Sequence, residues 1–285
     1  MASIVFASGK GGVGKSTISL NMAILFAQAG RKVVVVDGDA RMPSLGVLMG
    51  FDKTPISLNN VLREENDINE AVYDGPNGVK FVPASIAAEQ DKLDFNVMRK
   101  AIKKLEDEYE IVVIDGPPGL GPDALAAITS AKEMILVLTP DPVALADALK
   151  VQILAEKNNI KIAGFISNRV LNDRNEIKPE ELEAILKAKS LGTLPEDVEV
   201  RKASLAQVPV ILSNPASPFS KTLRAIGSQM IHQPIPEPAS GKKGFFAGIA
   251  EFFRKLFGRK QQAKPELKPA EPPTVKLPPQ EQQRL

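Results

Sequence analysis

Residues 9–17 read GKGGVGKST, which matches the pattern G-x-x-x-x-G-K-[ST] in full. An apolar run, Ser3–Ala7, precedes this stretch, and a helical pattern, Ser16–Gln28, follows it. Glycines in such a stretch let backbone N–H groups point at phosphate oxygens, and the start of the following helix adds its positive dipole end. The stretch therefore predicts a phosphate-binding loop between a buried strand and a helix.

Each position of this loop has a predicted task. We expect the Lys15 ammonium to reach the β- and γ-phosphates of a nucleotide, the Ser16 hydroxyl to bind Mg²⁺ and the Thr17 hydroxyl to contact the α-phosphate. The other loop positions are expected to bind through the backbone, and they are Gly11, Gly12, Val13 and Gly14. An ordinary glycine-rich turn is the alternative, but it would not require the full pattern between a strand and a helix.

Short apolar runs alternate with helical patterns along the chain. The runs are continuously apolar, which is typical of strands that helices cover on both faces. The predicted strands are Ser3–Ala7, Val33–Asp37, Val79–Pro83, Ile111–Asp115, Met134–Thr139, Lys161–Ser167 and Leu191–Leu194. The predicted helices are Ser16–Gln28, Asp91–Glu108, Pro142–Asn158, Pro179–Lys189 and Phe219–Ile231. This alternation predicts a doubly wound α/β fold, with a mostly parallel sheet flanked by helices.

Composition excludes several kinds of site. The 285 residues contain no Cys and one His, so thiol catalysis and cysteine-ligated metal sites are excluded and a Ser–His–Asp triad is disfavoured. The net charge of +2 gives no global basic field for nucleic acid. The first residues lack the pattern of a signal peptide, and no stretch approaches the roughly 20 apolar residues of a membrane span. We therefore expect a cytoplasmic protein.

The composition changes after the last predicted helix, which divides the chain into four predicted parts. Residues 1–231 form the phosphate-binding domain and residues 232–243 a flexible linker. Residues 244–260 form an apolar and basic helix, and residues 261–285 a disordered tail rich in Pro, Gln, Lys and Glu. His232 falls in the linker and is expected to have no role.

The loop carries a second lysine, Lys10, and so resembles the deviant Walker A box of the MinD/ParA family of ATPases, which belong to the SIMIBI class. The resemblance extends over roughly Met1–Ile231 and rests on several separate boxes. It implies a P-loop NTPase fold, ATP and Mg²⁺ as cofactors, and a homodimer that forms on ATP. In this family the lysine at the position of Lys10 reaches the phosphates bound by the other subunit, where its charge does the work of an arginine finger.

A second box follows the strand Val33–Asp37 and reads Gly38-Asp39-Ala40-Arg41. It resembles switch I of the same family. The resemblance implies that Asp39 orients the attacking water and that Asp37 lies near the Mg²⁺ shell. Positioning and electrostatics dominate phosphoryl transfer, so an Asp needs no raised pKa for this task. Taken alone, Asp-Gly-Asp also suits a solvated turn.

A third box is the apolar strand Ile111–Asp115, which ends in a carboxylate as Walker B strands do. Parallel strands bring their carboxyl ends to one edge of the sheet, where ligands bind in open α/β folds. We therefore expect Asp115 to hold Mg²⁺, through water. The Gly116-Pro117-Pro118-Gly119 segment that follows resembles switch II, and it is also a rigid turn.

The base pocket has a weaker signature. The strand that ends in FISNR resembles a family strand whose Asn-Arg pair lies at the base, so Asn168 is the first candidate for binding adenine and Arg169 the second. Residues 191–197, LGTLPED, resemble a G-x-[IL]-P-x-D segment in which Pro195 and Asp197 line the base pocket. For Asn168, a capping role at the strand end is nearly as well supported.

Residues 244–260 read GFFAGIAEFFRKLFGRK. Their large apolar side chains recur at helical spacing on one face. These residues are Phe245, Phe246, Ile249, Phe252, Phe253, Leu256 and Phe257. Basic residues dominate the flanks and the polar face, so the pattern is typical of a helix that lies in an anionic membrane surface. MinD proteins end in a similar sequence, whereas a helix packed on the domain is the alternative.

Together these patterns predict a MinD-like ATP hydrolase that dimerises on ATP and binds the inner face of the cell membrane reversibly, to position a process such as the division site. An activating protein is a further expected partner. A ParA-like DNA-partitioning ATPase and a MinD-related ATPase of flagellar or polar positioning are alternatives, and DNA is the less favoured partner. A scaffold that holds nucleotide without hydrolysis is disfavoured because Lys10 and Asp39 are both present.

Overall fold

The computed structural model describes residues 3–51, 54–85 and 93–237. One sheet lies at the centre of this part of the chain. Its strands are β1 (Ser3–Ser8), β2 (Val33–Asp37), β3 (Tyr73–Asp74), β4 (Lys80–Val82), β5 (Ile111–Pro118), β6 (Glu133–Leu138), β7 (Lys161–Val170) and β8 (Ser190–Pro195). Their order is β3-β4-β2-β5-β1-β6-β7-β8, and all neighbours are parallel except β3 and β4. The predicted α/β fold with a mostly parallel sheet is confirmed.

Helices connect the strands in the described ranges. They are α1 (Lys15–Gln28), α2 (Leu45–Leu48), α3 (Leu58–Leu62), α4 (Val97–Glu108), α5 (Pro122–Ser130), α6 (Pro142–Lys157), α7 (Pro179–Leu186), α8 (Val198–Leu205), α9 (Val210–Ser213) and α10 (Pro218–Met230). Helices α1 and α10 pack together on the sheet, while α4 and α5 form a second contacting pair. Every residue of β1 and β2 is buried. This two-sided cover explains why the strand sequences are continuously apolar.

Alternate residues of the central strands enter one large core cluster. Val5, Val34 and Val112 belong to it together with the buried faces of α4, α5 and α6. The intervening residues, such as Phe6 and Val35, are also buried, because side chains of a strand point alternately to the two faces of its sheet. The carboxyl ends of the neighbouring parallel strands β1, β2 and β5 therefore lie at one edge of a sheet that is buried on both faces.

Several element boundaries differ from the sequence predictions. The predicted helix Asp91–Glu108 begins at Val97 in the structure, and its first two predicted residues lie outside the described ranges. The predicted helix Pro179–Lys189 ends at Leu186, because Lys187 adopts the left-handed conformation that closes a helix. The last predicted strand residue of β7 was Ser167, yet β7 continues to Val170. The two-residue β3 and the short helices α2, α3, α5, α8 and α9 were not predicted, since short elements carry little periodicity.

The structure describes only the first six residues of the predicted linker, and these pack against the domain. The Gln233 side-chain amide donates to the carbonyl of Ala29 at 3.1 Å, and the backbone N–H of Ile235 donates to Ser228 Oγ at 3.1 Å. Ile235 is buried. The ordered domain thus extends past residue 231, and the predicted helix of residues 244–260 lies outside the described residues. None of the described helices has the length and apolar character needed to cross a membrane.

Candidate nucleotide site

The phosphate-binding loop connects the end of β1 to the start of α1. Gly14 precedes the helix with φ 90°, a left-handed conformation that favours glycine. A Cβ on Gly14 would lie 2.2 Å from Asn168 Nδ2, and a Cβ on Gly9 would lie 2.4 Å from the backbone of Asp147. Close packing therefore favours glycine at both positions, and at Gly14 the backbone conformation favours it as well.

The predicted phosphate ligands lie together at this loop. Gly11 and Gly12 are exposed, so their backbone is open to a ligand, whereas Val13 is buried. Ser16 and Thr17 are half-buried in the first turn of α1. Helix N-termini attract anions through unsatisfied N–H groups and the helix dipole. The local geometry thus agrees with phosphate binding by the loop.

Lys15, at the start of α1, and Asp115, on β5, form a buried ion pair. Lys15 Nζ donates to Asp115 Oδ1 at 2.9 Å, and the two side chains are 7% and 0% exposed. A buried carboxylate and a buried ammonium are each costly alone, so each neutralises the other here. The residue expected to bind phosphates and the residue expected to hold Mg²⁺ are therefore direct partners.

Asp37 and Asp115 are register partners on the adjacent strands β2 and β5. Both are fully buried. Burial, reinforced by the negative charge of Asp115, raises the pKa of Asp37 to about 8. Asp37 Oδ2 accepts backbone N–H groups of Ser44 and Leu45 at 3.1 and 3.0 Å, so this carboxyl also holds the segment that follows β2.

The donor groups present fit a hydrated Mg²⁺ bound with nucleotide. Asp115 Oδ2 is buried and has no hydrogen-bond partner within the described part of the chain, so one carboxylate oxygen is left for an ion or its water. The Ser16 hydroxyl belongs to the same loop as Lys15. The described residues contain no group of three or more acidic or histidine side chains that could hold a metal ion. Mg²⁺ typically takes one or two carboxylates and completes its shell with water and phosphates, which matches this set.

Asp39 lies in the loop after β2, and its side chain is mostly buried. Its Oδ1 accepts the backbone N–H of Met42 at 2.9 Å. Burial raises the pKa of Asp39, although the N–H of Met42 and the charge of Lys15 lower it. Asp39 therefore lies within electrostatic range of the Lys15 ammonium, on the same edge of the sheet as Asp115.

Arg41 connects the predicted switch I to the start of α5. Arg41 Nε lies 3.9 Å from Asp123 Oδ2, and its guanidinium carbon lies 5.5 Å from the ring centre of Phe95. Sequence reasoning did not assign Asp123, which follows the switch II segment and Pro122 at the helix N-terminus. The available signal was an acidic residue in the first turn of a helix.

Lys10 projects from the exposed rim of the loop. Its carbonyl accepts the Ser8 hydroxyl at 3.0 Å, which fixes the backbone at the loop entrance. Asp141, the N-terminal cap of α6, lies close enough to be affected by the Lys10 charge. Burial raises the pKa of Asp141, but the hydrogen bonds from Thr139 and Ala144 and the positive charge of Lys10 produce a net lowering. The Lys10 side chain is thus exposed and within electrostatic range of an acidic helix cap.

Asn168 and Arg169 lie against the phosphate loop from the end of β7. Asn168 Nδ2 donates to the carbonyl of Val13 at 2.7 Å, and Asn168 is buried. Arg169 Nη1 donates to the carbonyl of Gly12 at 3.5 Å, while its Nε pairs with Glu196 at 2.8 Å. Both residues predicted to bind the base therefore contact the phosphate-binding loop, and the hydrogen bond from Asn168 also holds the backbone of the loop at Val13.

Pro195 and Asp197 follow at the end of β8. Asp197 caps α8, because its Oδ1 accepts the N–H of Glu199 at 2.9 Å and its Oδ2 accepts the N–H of Phe219 at 3.1 Å. Pro195 pairs with Val170 at the end of the β7–β8 ladder. The structure thus gives Asp197 a structural task, and the predicted base-pocket role of these two residues stays a prediction. The predicted membrane residues, Phe245, Phe246, Ile249, Phe252, Phe253, Leu256 and Phe257, lie outside the described residues.

Comparison with known proteins gives consistent matches. Residues 1–231 match a family model described as ParA, NUBPL iron-transfer P-loop NTPase. An ATP-binding protein of Methanocaldococcus jannaschii is 37% identical over 258 residues, which are 90% of this chain and 97% of that protein. The crystal structure of the cell division ATPase MinD of Pyrococcus furiosus has a TM-score of 0.78 and 32% identity, covering 81% of this chain and 99% of that one. The septum site-determining protein MinD of Pyrococcus horikoshii, complexed with Mg-ADP, has a TM-score of 0.77 and 32% identity, covering 80% and 95%.

Proposed function

The chain belongs to the ParA/MinD family of P-loop NTPases, and on that premise we propose that it is a MinD-like ATP hydrolase. In this proposal the protein dimerises on ATP and binds a membrane reversibly, to position a cellular process such as the division site. Its cofactors are ATP and Mg²⁺, in agreement with the Mg-ADP bound to the relative from Pyrococcus horikoshii. The observation that carries the proposal is the buried pair of Lys15 and Asp115 beneath a loop that also holds Lys10.

The buried pair supports an exchange of partners when nucleotide binds. Phosphate oxygens at the loop would attract the Lys15 ammonium and so release Asp115 Oδ1. Asp115, now without its lysine, would hold hydrated Mg²⁺ together with the Ser16 hydroxyl. The ion would neutralise the negative charge that develops on the β- and γ-phosphates. In this proposal the loop binds nucleotide and prepares the metal site in a single event.

Hydrolysis is proposed to depend on two positioned side chains. Asp39 is held by the N–H of Met42 at 2.9 Å, so one oxygen is fixed and the other can orient a water molecule. Lys10 is exposed at the loop rim, where its charge can reach phosphates bound by a second copy of the chain. Such a cation stabilises the charge of the transition state, and a monomer has no second copy to supply it. Turnover would therefore require dimerisation.

Exposed apolar side chains around this edge of the sheet support a homodimer. Met42, Leu120, Val143 and Leu171 are 78%, 48%, 61% and 69% exposed. They follow β2, β5, β6 and β7, and thus lie at the carboxyl edge that carries the phosphate loop. Scattered exposed apolar residues are ordinary, but several on one functional edge suit an interface between two copies.

Membrane binding is proposed from the sequence pattern of residues 244–260. Each Lys or Arg near an anionic surface contributes about 1 kcal/mol, and apolar burial about 25 cal/mol per Å². Ordering a helix on binding opposes both terms, so a single copy would hold weakly. Two copies in one dimer gain avidity without any new contact. ATP-driven dimerisation would therefore move the protein to the membrane, and hydrolysis would release it.

Two other functions of the family are less well supported. Iron transfer, named in the description of the matching family model, commonly uses thiolate ligands, and this chain contains no Cys. A DNA-partitioning ATPase would hold DNA through a basic surface, which a net charge of +2 does not favour. Salt-sensitive binding to duplex DNA would distinguish the second function from membrane binding.

Co-sedimentation of the full chain with anionic vesicles tests the proposal. We expect sedimentation with ATP and little with ADP or without nucleotide. Replacing Phe252 and Phe253 with Glu places charge in the acyl boundary and should abolish sedimentation, while replacing both with Leu should preserve it. The Glu variant should still bind ATP. Two results would contradict the proposed switch. One is binding to duplex DNA in place of vesicles, and the other is vesicle binding of equal extent with ATP, with ADP and without nucleotide.

A further inference from the structure

Asn59 on α3 is buried and uses both ends of its side-chain amide. The residue is 1% exposed, and its Nδ2 donates to the carbonyl of Ala40 at 2.8 Å. Its Oδ1 accepts the backbone N–H of Ser85, also at 2.8 Å. The two partners fix the orientation of the amide, since one offers an acceptor and the other a donor. Asn59 thus joins the loop after β2 to the segment after β4.

Helix α3 holds this amide in a fixed position. The N–H of Leu58 donates to the carbonyl of Pro83 at 2.7 Å, so the start of the helix is tied to the end of β4. Leu58, Val61 and Leu62 belong to the hydrophobic core cluster. A buried polar side chain costs stability unless it is hydrogen-bonded, and Asn also has a lower helix propensity than Leu. What the amide adds at this position is therefore its two hydrogen bonds.

The contact at Ala40 anchors the backbone on one side of Asp39. Ala40 is buried in the same core cluster, and its carbonyl is held by Asn59. On the other side, the N–H of Gly38 donates to the carbonyl of Asp115 at 2.9 Å. Asp39 therefore lies between two anchored residues, and one of the two anchors depends on a side chain outside the nucleotide site.

We propose that Asn59 is a positioning residue for ATP hydrolysis, which acts through the backbone at Ala40 on the direction of the Asp39 carboxylate. This inference rests on the proposed function, in which Asp39 orients the attacking water. An anchor that is formed before ATP binds preorganises the carboxylate, and a misplacement of about 1 Å costs about 100-fold in rate. Asn59 contacts neither phosphate nor water in this role, so its loss should lower kcat and leave ATP binding nearly unchanged.

Steady-state ATP hydrolysis by the full chain tests the proposal with two variants. Asn59→Leu loses both hydrogen bonds and should lower kcat by about 10- to 100-fold, with a change in KM below about threefold. Asn59→Asp can donate to the Ala40 carbonyl only while its carboxyl is protonated, so its deficit relative to the wild type should grow from about pH 6 to about pH 9. An unchanged kcat of Asn59→Leu, or a loss that falls on KM alone, would overturn the proposal.

A matched control separates positioning from a general loss of stability. Gln152 on α6 is also a buried amide, and its Nε2 donates to the carbonyl of Leu186 at 2.8 Å. Gln152→Leu should therefore lose stability as Asn59→Leu does, yet keep the wild-type kcat. Thermal unfolding shows that each variant is folded at the assay temperature. A fall in kcat of equal size in Gln152→Leu would show that the effect of Asn59 is not specific to Asp39.

Trypsin cleavage after Arg41 measures the order of the loop without turnover. Arg41 is exposed and follows the anchored residue, so cleavage requires the loop to open locally. In the nucleotide-free protein, Asn59→Leu should be cleaved there several-fold faster than the wild type, and Gln152→Leu at the wild-type rate. A wild-type chain that hydrolyses no ATP would refute the proposed function alone. Equal cleavage of the wild type and Asn59→Leu would refute the anchor.

Discussion

Lys15 Nζ donates to Asp115 Oδ1 at 2.9 Å in an environment that leaves the two side chains 7% and 0% exposed. The lysine lies at the start of α1 and the carboxylate lies on β5. They are neighbours because β1, which leads into the loop before α1, pairs in parallel with β5. In this pair, the lysine that is expected to bind phosphates is neutralised by the carboxylate that is expected to bind Mg²⁺. In the proposed function, nucleotide binding would draw Lys15 away and leave Asp115 as a ligand for Mg²⁺.

Lys15→Ala should abolish tight ATP binding and should also destabilise the protein without nucleotide. Removing one partner of a buried ion pair leaves an uncompensated charge and costs about 3–5 kcal/mol. Chemical denaturation in the absence of nucleotide measures the loss, and calorimetry measures ATP binding. The double variant Lys15→Ala with Asp115→Asn should recover most of the stability but none of the ATP binding. Wild-type stability of Lys15→Ala would contradict the importance of the pair.

Lys10→Ala should leave ATP binding nearly unchanged and remove both dimerisation and turnover. The reason is that Lys10 is exposed at the loop rim and is proposed to act on phosphates held by a second copy. Light scattering with ATP measures the dimer, and phosphate release measures turnover. Lys100→Ala, an exposed lysine on α4, should behave as the wild type in both assays. Hydrolysis at the wild-type rate by Lys10→Ala would remove the basis for a deviant Walker A assignment.

Asp39→Ala should retain binding of ATP and Mg²⁺ but lose at least about 100-fold in hydrolysis, because the water is no longer oriented. The variant should accumulate as an ATP-bound dimer, since assembly precedes the chemical step. Single-turnover hydrolysis and gel filtration with ATP measure the two effects. A monomer in the presence of ATP would indicate that Asp39 shapes the interface instead of the water.

The raised pKa of Asp37 predicts a pH dependence of stability. The folded protein keeps the Asp37 proton up to about pH 8, whereas the unfolded chain loses it near 3.8. Between these values the unfolded state binds fewer protons, so the free energy of unfolding falls as pH rises, by at most about 1.4 kcal/mol per pH unit for this group. The burial that raises the pKa of Asp39 acts in the same direction.

Denaturation of the protein in EDTA without nucleotide, between pH 5 and 8, measures this dependence. Asp37→Asn cannot titrate, so its stability should fall less steeply than that of the wild type. Asp107→Asn, on the exposed face of α4, should keep the wild-type slope. Equal slopes for the wild type and Asp37→Asn would mean that Asp37 is ionised throughout the range.

Asn168→Ala should weaken ADP binding and reduce the preference for ADP over GDP. Asn168 Nδ2 donates to the carbonyl of Val13, so part of the loss should be shared by both nucleotides. Any additional loss for ADP alone would come from the amide contact with adenine. Calorimetric titration of both nucleotides separates the two parts. An unchanged preference would restrict Asn168 to anchoring the loop.

The pattern of residues 9–17 and the apolar strands with terminal Asp37 and Asp115 could be predicted because each is a local signal. The loop needs one spacing of Gly, Lys and Ser, and a doubly covered strand needs only a continuous apolar run. Both signals can be recognised in one sequence without an alignment, and the predicted family and fold were confirmed. The short helices α5, α8 and α9 were missed because four to nine residues hold too few turns for a clear period.

The sequence by itself determined the position of the loop, the alternation of the main strands with the longer helices, and the carboxylates Asp37 and Asp115 that follow apolar runs. Only the tertiary structure decided which of them meet. Lys15 and Asp115 are 100 residues apart, and Asn168 and Val13 are 155 apart. It also gave Asp197 a capping task, and it left Nε and Nη2 of Arg224 without a hydrogen-bond partner within the described ranges. The physical reason is that spacing along a chain encodes local backbone geometry, whereas pairing across a sheet and burial of a charge depend on which surfaces pack together.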